Sequence, residues 1–258
     1  MRLDLWLVDQ GKAPSREKAQ ALVMAGRVSV NGQPAGKPGA PVRAKDTVDV
    51  RPGPAHVGRG ALKLEGAMGA FSLEPRGLVC LDVGASTGGF TEVLLARGAA
   101  RVYAVDTGRG QIHESLRADP RVVLRERTNA RSLSPHDVPE TCALAVMDVS
   151  FISALKILPA LRSVLDSRAD VVLLVKPQFE VGRAQVGRGG LVKDKALHAQ
   201  ALRDVATGAQ DQGYGVQGAC PSPLHGSEGN REFFLHLRVG APPLAGADLE
   251  ALVERATC

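Results

Sequence analysis

No uninterrupted apolar run in the 258 residues approaches the roughly 20 needed to cross a bilayer, so no membrane-spanning helix is expected. The first ten residues, MRLDLWLVDQ, place an acid at Asp4 and lack the charged-then-apolar layout of an export signal. Cysteine is scarce: the four, at 80, 142, 220 and 258, have no paired metal-ligand spacing, and two lie in apolar, strand-like runs. That pattern argues against a zinc site or a disulfide framework and for reduced thiols in a cytoplasmic protein. The six histidines, at 56, 113, 136, 198, 225 and 236, form no cluster, so no metal is expected. Two phosphate-cradling signatures are also missing. The glycine-rich turn Gly84-Ala85-Ser86-Thr87-Gly88-Gly89 does not supply G-x-G-x-x-G, and it does not end in Gly-Lys-Ser/Thr.

What is present is unevenly charged. Residues 1–60 hold ten Lys/Arg against five Asp/Glu, and residues 61–258 hold 22 of each, so the whole net charge of +5 sits in the first quarter. Such asymmetry favours a polyanion contact made by the N-terminal part. The length suits one good-sized core plus a small module.

The chain is organised around residues 78–91, LVCLDVGASTGGFT. A short apolar run bounded by glycine reads as a buried parallel strand, and the helically spaced segment from Phe90 follows at once. Gly84, Gly88 and Gly89 allow a sharp turn and close approach of a ligand to the new helix's N-terminus. After the next apolar run, 101–105, comes Asp106, 22 residues beyond Gly84, where a nucleotide-binding sheet places an acid for ribose hydroxyls. A nucleoside site with no pyrophosphate to cradle is what remains, and its form resembles the S-adenosylmethionine (SAM) loop of Rossmann-like methyltransferases.

Further apolar runs at 122–124, 143–147, 171–175, 214–220 and 233–239 alternate with helical stretches. They predict an α/β fold with an open, mostly parallel sheet and ligands at the strand C-termini. Asp82, Asp106, Asp148 and Lys176 each fall at or near such an end, which packing alone explains poorly. Ser150 or Ser153 is placed to cap the helix after Asp148. Lys176 closes five apolar residues and precedes Pro177, an awkward position for a surface charge. Lys63, ahead of the first strand, and Glu232, entering the last, are its candidate partners.

The N-terminal part reads as two short helices and a small sheet, with Ser15 as the second helix's N-cap and Asn31-Gly32 as a hairpin turn. The stretch SREKAQALVMAGRVSVNG resembles the small RNA-binding module of ribosomal protein S4, shared by pseudouridine synthases and bacterial tyrosyl-tRNA synthetases. The resemblance implies RNA contact through Arg2, Ser15, Arg16, Lys18 and Arg27. A proline- and glycine-containing linker at 51–60 then separates residues 1–57 from 58–240, with 241–258 expected as a C-terminal tail of weak helical pattern.

Lys63, Asp148, Lys176 and Glu232, in this order on this sheet, resemble the Lys-Asp-Lys-Glu tetrad of FtsJ-type ribose 2′-O-methyltransferases. With RGALKL, AVDTGRGQI, MDVSFIS, LVKPQFEVGR, VGRGGLVKD and SPLHGSEGNREFF, and the RNA module ahead of them, the chain resembles the TlyA family of ribosomal RNA methyltransferases, often labelled haemolysins. The family commonly has Ser where Gly58 stands. The resemblance implies SAM as cofactor, held by Asp82, Gly84, Ser86, Thr87, Gly88 and Gly89, of which Gly84, Ser86, Thr87 and Gly88 line its methionine side, with Asp106 on its ribose and Asn129 or its backbone neighbours near the adenine. It also implies ribosomal RNA as partner, with cytidine 2′-hydroxyls of the large subunit as targets and the small subunit as a second candidate.

A ribose hydroxyl is a poor nucleophile, and Lys176 is the candidate base. A free lysine, with a pKa of about 10.4, is protonated at neutral pH. Desolvation and a neighbouring cation such as Lys63 favour the neutral amine, while Asp148, with Glu232, suits orientation. The loop 182–194, with four glycines and three cations, reads as a mobile cover over the substrate. A non-catalytic RNA-binding or assembly protein is the main rival. A pseudouridine synthase would not need the SAM loop, and a membrane-active cytolysin would need an amphipathic basic helix that the chain lacks.

Overall fold

Contacts along the chain divide it into Met1–Ala55 and His56–Cys258. The computed structural model describes residues 1–51, 56–226 and 228–258. Residues 52–55 of the expected linker and Ser227 of the SPLHGSEGNREFF segment lie outside the described residues.

In the first unit, α1 (Leu3–Asp9) buries Leu3 and Leu7, and α2 (Arg16–Met24) buries Ala19 and Val23 against them. Ser15 caps α2, its Oγ accepting from the Lys18 N–H at 3.2 Å, which satisfies one donor the first helical turn leaves unpaired. Strand β1 (Val28–Val30) turns through Asn31 and Gly32, at φ 52° and 78°, into β2 (Gln33–Pro34). Two left-handed residues in succession are what a tight hairpin of this twist requires. Strand β3 (Val48–Val50) pairs antiparallel on the other side of β1.

The second unit is a seven-stranded sheet with helices on both faces. Helix α3 (Gly60–Phe71) precedes β4 (Val79–Val83), and α4 (Gly89–Ala96), β5 (Arg101–Val105), α5 (Glu114–Arg117) and β6 (Val122–Arg125) follow. The chain then crosses to β7 (Cys142–Met147), α6 (Leu158–Leu161), β8 (Leu165–Val175) and α7 (Pro177–Glu180). It ends with α8 (Lys195–Asp211), β9 (Tyr214–Pro221), β10 (Phe233–Val239) and α9 (Gly246–Thr257). The spatial order is β6-β5-β4-β7-β8-β10-β9. Strand β10 runs antiparallel to both neighbours, and the pairs among β4–β8 are parallel. Successive side chains serve opposite faces: Cys80 and Leu174 pack towards α3 and α4, Leu81 and Leu173 towards α6, α8 and α9. The central strands are apolar on both faces and read as continuous runs.

Two boundaries differ from the sequence reading. Strand β8 starts at Leu165, six residues before the apolar run at 171. Leu165 and Ala169 are buried while 166–168 stand exposed, and the pairing with β7 shifts between Cys142 and Leu144. The segment 241–258 is no separate tail. Leu249, Val253 and Ala256 on α9 are buried in the same core as β8 and β10, and Glu250 accepts two hydrogen bonds from Arg203 of α8, at 2.5 and 2.8 Å.

Candidate active site

The parallel strands β4, β5, β7 and β8 end on one edge of the sheet, which gathers Gly84, Asp106, Asp148 and Lys176 from distant stretches of chain. Gly84 has φ 85°, and a Cβ there would stand 2.2 Å from the Asp148 carbonyl oxygen. Only glycine lets the turn after β4 pass so close to the end of β7. Gly89 does the same for α3: a Cβ would meet the Ala61 nitrogen at 2.8 Å, so the helix bearing Lys63 lies directly on the N-terminus of α4. Gly88, at φ 97°, instead makes room for Leu116, whose Cδ1 lies 2.2 Å from where a Cβ would stand.

A cavity of about 520 Å³ opens at this edge, lined in part by Gly84, Ser86, Asp106, Asn129, Asp148 and Phe151. Asp106 accepts the Ser86 N–H at 2.8 Å on one oxygen and the Gly108 N–H at 2.6 Å on the other, so the turn and β5 are tied through one carboxylate. Ser86 holds φ 48°, and Asn129 Oδ1 caps the short turn after β6 by accepting from the Arg131 N–H at 3.1 Å. Thr87 and Gly89 line a smaller adjoining recess of about 110 Å³ with Gly60 and Phe90. Thr87 Oγ1 lies 2.5 Å from where a Cβ on Gly58 would stand. Asp82 lines neither space. It is wholly buried, accepting from Thr91 Oγ1 at 2.6 Å through Oδ2, while Oδ1 has no partner. Burial pushes its carboxyl up to about 7, with the Thr91 hydrogen bond opposing and the nearby Asp148 charge adding. The volume, the close-approach glycine and an acid at the second strand's end fit a nucleoside-bearing ligand the size of SAM.

A second cavity, of about 400 Å³, lies beside the first and is lined by Lys176, Gln178, Phe179, Glu228 and Glu232 among others; Ser150 and Phe151 line both. The four tetrad residues form two ion pairs. Lys176 Nζ lies 2.6 Å from Asp148 Oδ1 and donates to Ser150 Oγ at 2.9 Å. Lys63 Nζ donates to Glu232 Oε2 at 2.5 Å, both groups buried. Gly226 leaves space for the other oxygen of Glu232, since a Cβ there would lie 2.6 Å from Oε1. Glu232 therefore faces Lys63, where the sequence reading had it share the orientation of Lys176. The Lys176–Asp148 pair, with one member in each cavity's wall, stands where the two meet.

Several residues here were given no role by the sequence. Phe151 is 90 % exposed at φ 65°, uncommon for an aromatic, and its ring sits 5.0 Å from that of Phe179. An exposed aromatic in a strained backbone on a cavity wall is a contact surface held out of the core. Asn230, almost fully buried, accepts the Val192 N–H and donates to the Gly190 carbonyl, both at 2.9 Å. His198 Nε2 contacts the Val192 carbonyl at 2.7 Å. The 182–194 loop, expected to be mobile, is thus pinned at Val192 and carries short turns at Arg183–Gln185 and Arg188–Gly190.

In the first unit, Arg2 and Arg16 both donate to the buried Asp4. Hydrogen bonds from Arg2 and Gln20 hold the Asp4 carboxyl well below the usual carboxylate range. The Arg27 guanidinium donates to the Arg51 carbonyl at 3.1 and 3.2 Å. Ser15 and Lys18 meet in the α2 cap.

Fold and site together define an α/β enzyme whose parallel strand ends hold a nucleoside-type cavity beside a second one lined by Lys176, Glu228 and Glu232. The FtsJ-like methyltransferase family matches residues 56–239, and the S4 domain matches residues 1–48. The chain belongs to the FtsJ-like methyltransferases, with an S4 domain at its N-terminus. It is 50 % identical to the 16S/23S rRNA (cytidine-2′-O)-methyltransferase TlyA of Mycobacterium tuberculosis over 99 % of this chain and 96 % of the relative. It is 38 % identical to hemolysin A of Brachyspira hyodysenteriae over 92 % of this chain and 99 % of that one. A solved Streptococcus thermophilus chain named as a hemolysin is 40 % identical, with TM-score 0.74, covering 99 % of this chain and 95 % of that one. Despite those names, no helix among the described residues is long and apolar enough to cross a membrane.

Proposed function

We propose that the protein methylates the ribose 2′-oxygen of cytidine in ribosomal RNA, on the large subunit and on the small subunit as a second target. The observation that carries this reading is the Lys176–Asp148 pair at the junction of the two cavities, a cofactor-sized one and one open to an acceptor. The name of the M. tuberculosis relative supports the nucleoside and the polymer.

SAM, when bound, supplies an electrophilic methyl group on a sulfonium. Gly84, Ser86, Asp106 and Asn129 line the cavity that would hold it, and Thr87 and Gly89 the recess beside it. Asp82 lies beneath and shapes the turn through Thr91. In its neutral form Lys176 Nζ takes the proton of the 2′-hydroxyl as that oxygen becomes the nucleophile, so the ammonium paired with Asp148 must first give up a proton. Asp148 and Ser150 fix the amine between the two cavities. Lys63 and Glu232 neutralise each other and hold the start of β10 against α3 beside the acceptor cavity. An in-line displacement gains most of its acceleration from alignment, which these buried, mutually braced groups provide. Phe151, against Phe179, offers a face on which an unstacked base can rest. Arg2, Arg16, Lys18 and Arg27 of the S4 domain serve RNA phosphates.

The test is Lys176→Ala. Methyl transfer falls by at least about 100-fold, the usual scale of a lost acid–base group, while SAM and RNA binding are retained. Transfer at the wild-type rate would remove Lys176 as the base and favour the non-catalytic reading of the tetrad.

A further inference from the structure

The first unit contains one buried acid whose surroundings exceed what packing needs. Asp4 is wholly buried on α1. Its Oδ1 accepts from Arg2 Nε at 3.0 Å and from the Leu5 N–H at 3.0 Å. Its Oδ2 accepts from Arg2 Nη2 at 2.9 Å, Arg16 Nε at 3.0 Å and Gln20 Nε2 at 2.9 Å. Five donors thus converge on a group with about four lone-pair positions. The two arginines it holds are not buried with it: their side chains are 48 % and 55 % exposed. Arg2 is restrained further, since a Cβ on Gly39 would lie 3.1 Å from its Cζ, and the Arg2 backbone bridges to Pro41. A hydrophobic contact at this place would serve the core of so small a unit as well as an ion network does. What the network adds is two half-exposed guanidiniums, one from the residue ahead of α1 and one from α2, held on the same carboxylate oxygen.

We propose that Asp4 is a positioning residue for RNA binding, setting Arg2 and Arg16 as a rigid double fork for neighbouring phosphates. This rests on the reading of the S4 domain as the RNA contact. The ordering of two long side chains then occurs on folding and does not oppose association. Each planar fork also retains N–H donors beyond those Asp4 uses, matched to phosphate oxygens.

The proposal makes a prediction of unusual sign. Asp4→Asn removes a negative charge from an RNA-binding surface, so charge counting alone predicts tighter binding. Positioning predicts weaker binding. The experiment measures the affinity of the full-length protein for purified large ribosomal subunits lacking the modification, across a salt series, with SAM affinity as an internal control. Asp4→Asn is expected to weaken subunit binding about 5- to 20-fold. The log–log salt slope should fall by about one to two as one or two phosphate contacts are lost. SAM affinity should be unchanged. Combined with Arg2→Ala and Arg16→Ala, it should add nothing, because there is no longer a fork to aim. Binding equal to or tighter than wild type overturns the proposal, and so does an equal further loss in the arginine-less background, which would mark a general structural role. If Asp4→Asn fails to fold by circular dichroism, Arg16→Lys replaces it. That variant keeps the charge but loses the planar fork that presents parallel N–H donors to a phosphate while held by Asp4, so a loss is expected and wild-type affinity overturns the idea. If the double arginine variant binds like wild type, the RNA-contact reading fails instead, and Asp4 with it.

Discussion

The buried Lys63–Glu232 pair allows catalysis and stability to be separated. The two side chains are 11 % and 3 % exposed and 2.5 Å apart. Glu232→Ala leaves an ammonium in the interior without its counter-charge, which costs about 3–5 kcal/mol when one partner of a buried pair is removed. Lys63 retains a little solvent, so the lower end, about 3 kcal/mol, is expected. For a unit of some 200 residues that is a drop of roughly 6–12 °C in melting temperature. Replacing both residues by methionine removes both desolvation penalties and fills the space with flexible apolar side chains, so stability should return to near wild type. Activity should not return. Differential scanning fluorimetry and transfer of labelled methyl to ribosomal subunits, run on Glu232→Ala, Lys63→Met and the Lys63→Met/Glu232→Met pair, make the comparison. If the double variant recovers melting temperature and methyl transfer together, the pair is only a strut between α3 and β10, and its place in the site is refuted.

The other perturbations are simpler. Asp82 titrates near 3.8 when unfolded and about 7 when folded, so the native state holds the proton more tightly. Its contribution is fully present below pH 4 and is lost as pH rises through about 7, by roughly 4 kcal/mol at most. Urea unfolding between pH 4 and 8 should show that loss in wild type and not in Asp82→Asn; parallel profiles would contradict the assigned cause. Gly84→Ala forces a Cβ against the Asp148 carbonyl at φ 85°, and calorimetry should find SAM affinity reduced at least about 10-fold, a few kcal/mol of strain being available. Unchanged affinity would mean the turn does not form the cofactor site. Phe151→Ala should lower kcat/KM for ribosomal subunits about 5- to 150-fold, the worth of about 1–3 kcal/mol for one stacked base, and leave SAM affinity unchanged. A loss confined to SAM binding would place the ring in the cofactor cavity alone.

Much of this architecture could be read from the residues because its strongest signals are local. The continuous apolar run of β4 with its glycine turn, the Ser15 cap and the Asn31-Gly32 hairpin each follow from backbone chemistry within a few positions. The strand ends carried Asp106, Asp148 and Lys176 onto one edge by topology alone. What could not be read depends on distant contacts. The first residues of β8 look polar because 166–168 face solvent, and only the pairing of Leu165 with Cys142 makes them a strand. Helix α9 carries an apolar stripe at Leu249, Leu252, Val253 and Ala256 that could have been read from its spacing, but only the sheet shows that the stripe closes the same core. The division of the tetrad into two ion pairs follows from how closely α3 approaches α4 at Gly89, which no spacing encodes. Phe151 and Asn230 were missed for the same reason. One is defined by a strained φ and an exposed ring, the other by two hydrogen bonds to a loop some 40 residues earlier in the chain.

The central claim is tested most directly by transferring labelled methyl from SAM to separated ribosomal subunits that lack their own methylation and hydrolysing the RNA in alkali. A methylated 2′-oxygen cannot attack its phosphate, so the account predicts label in alkali-resistant dinucleotides ending the cleavage at cytidine. Label in mononucleotides would move the target to a base and contradict the role given to Lys176.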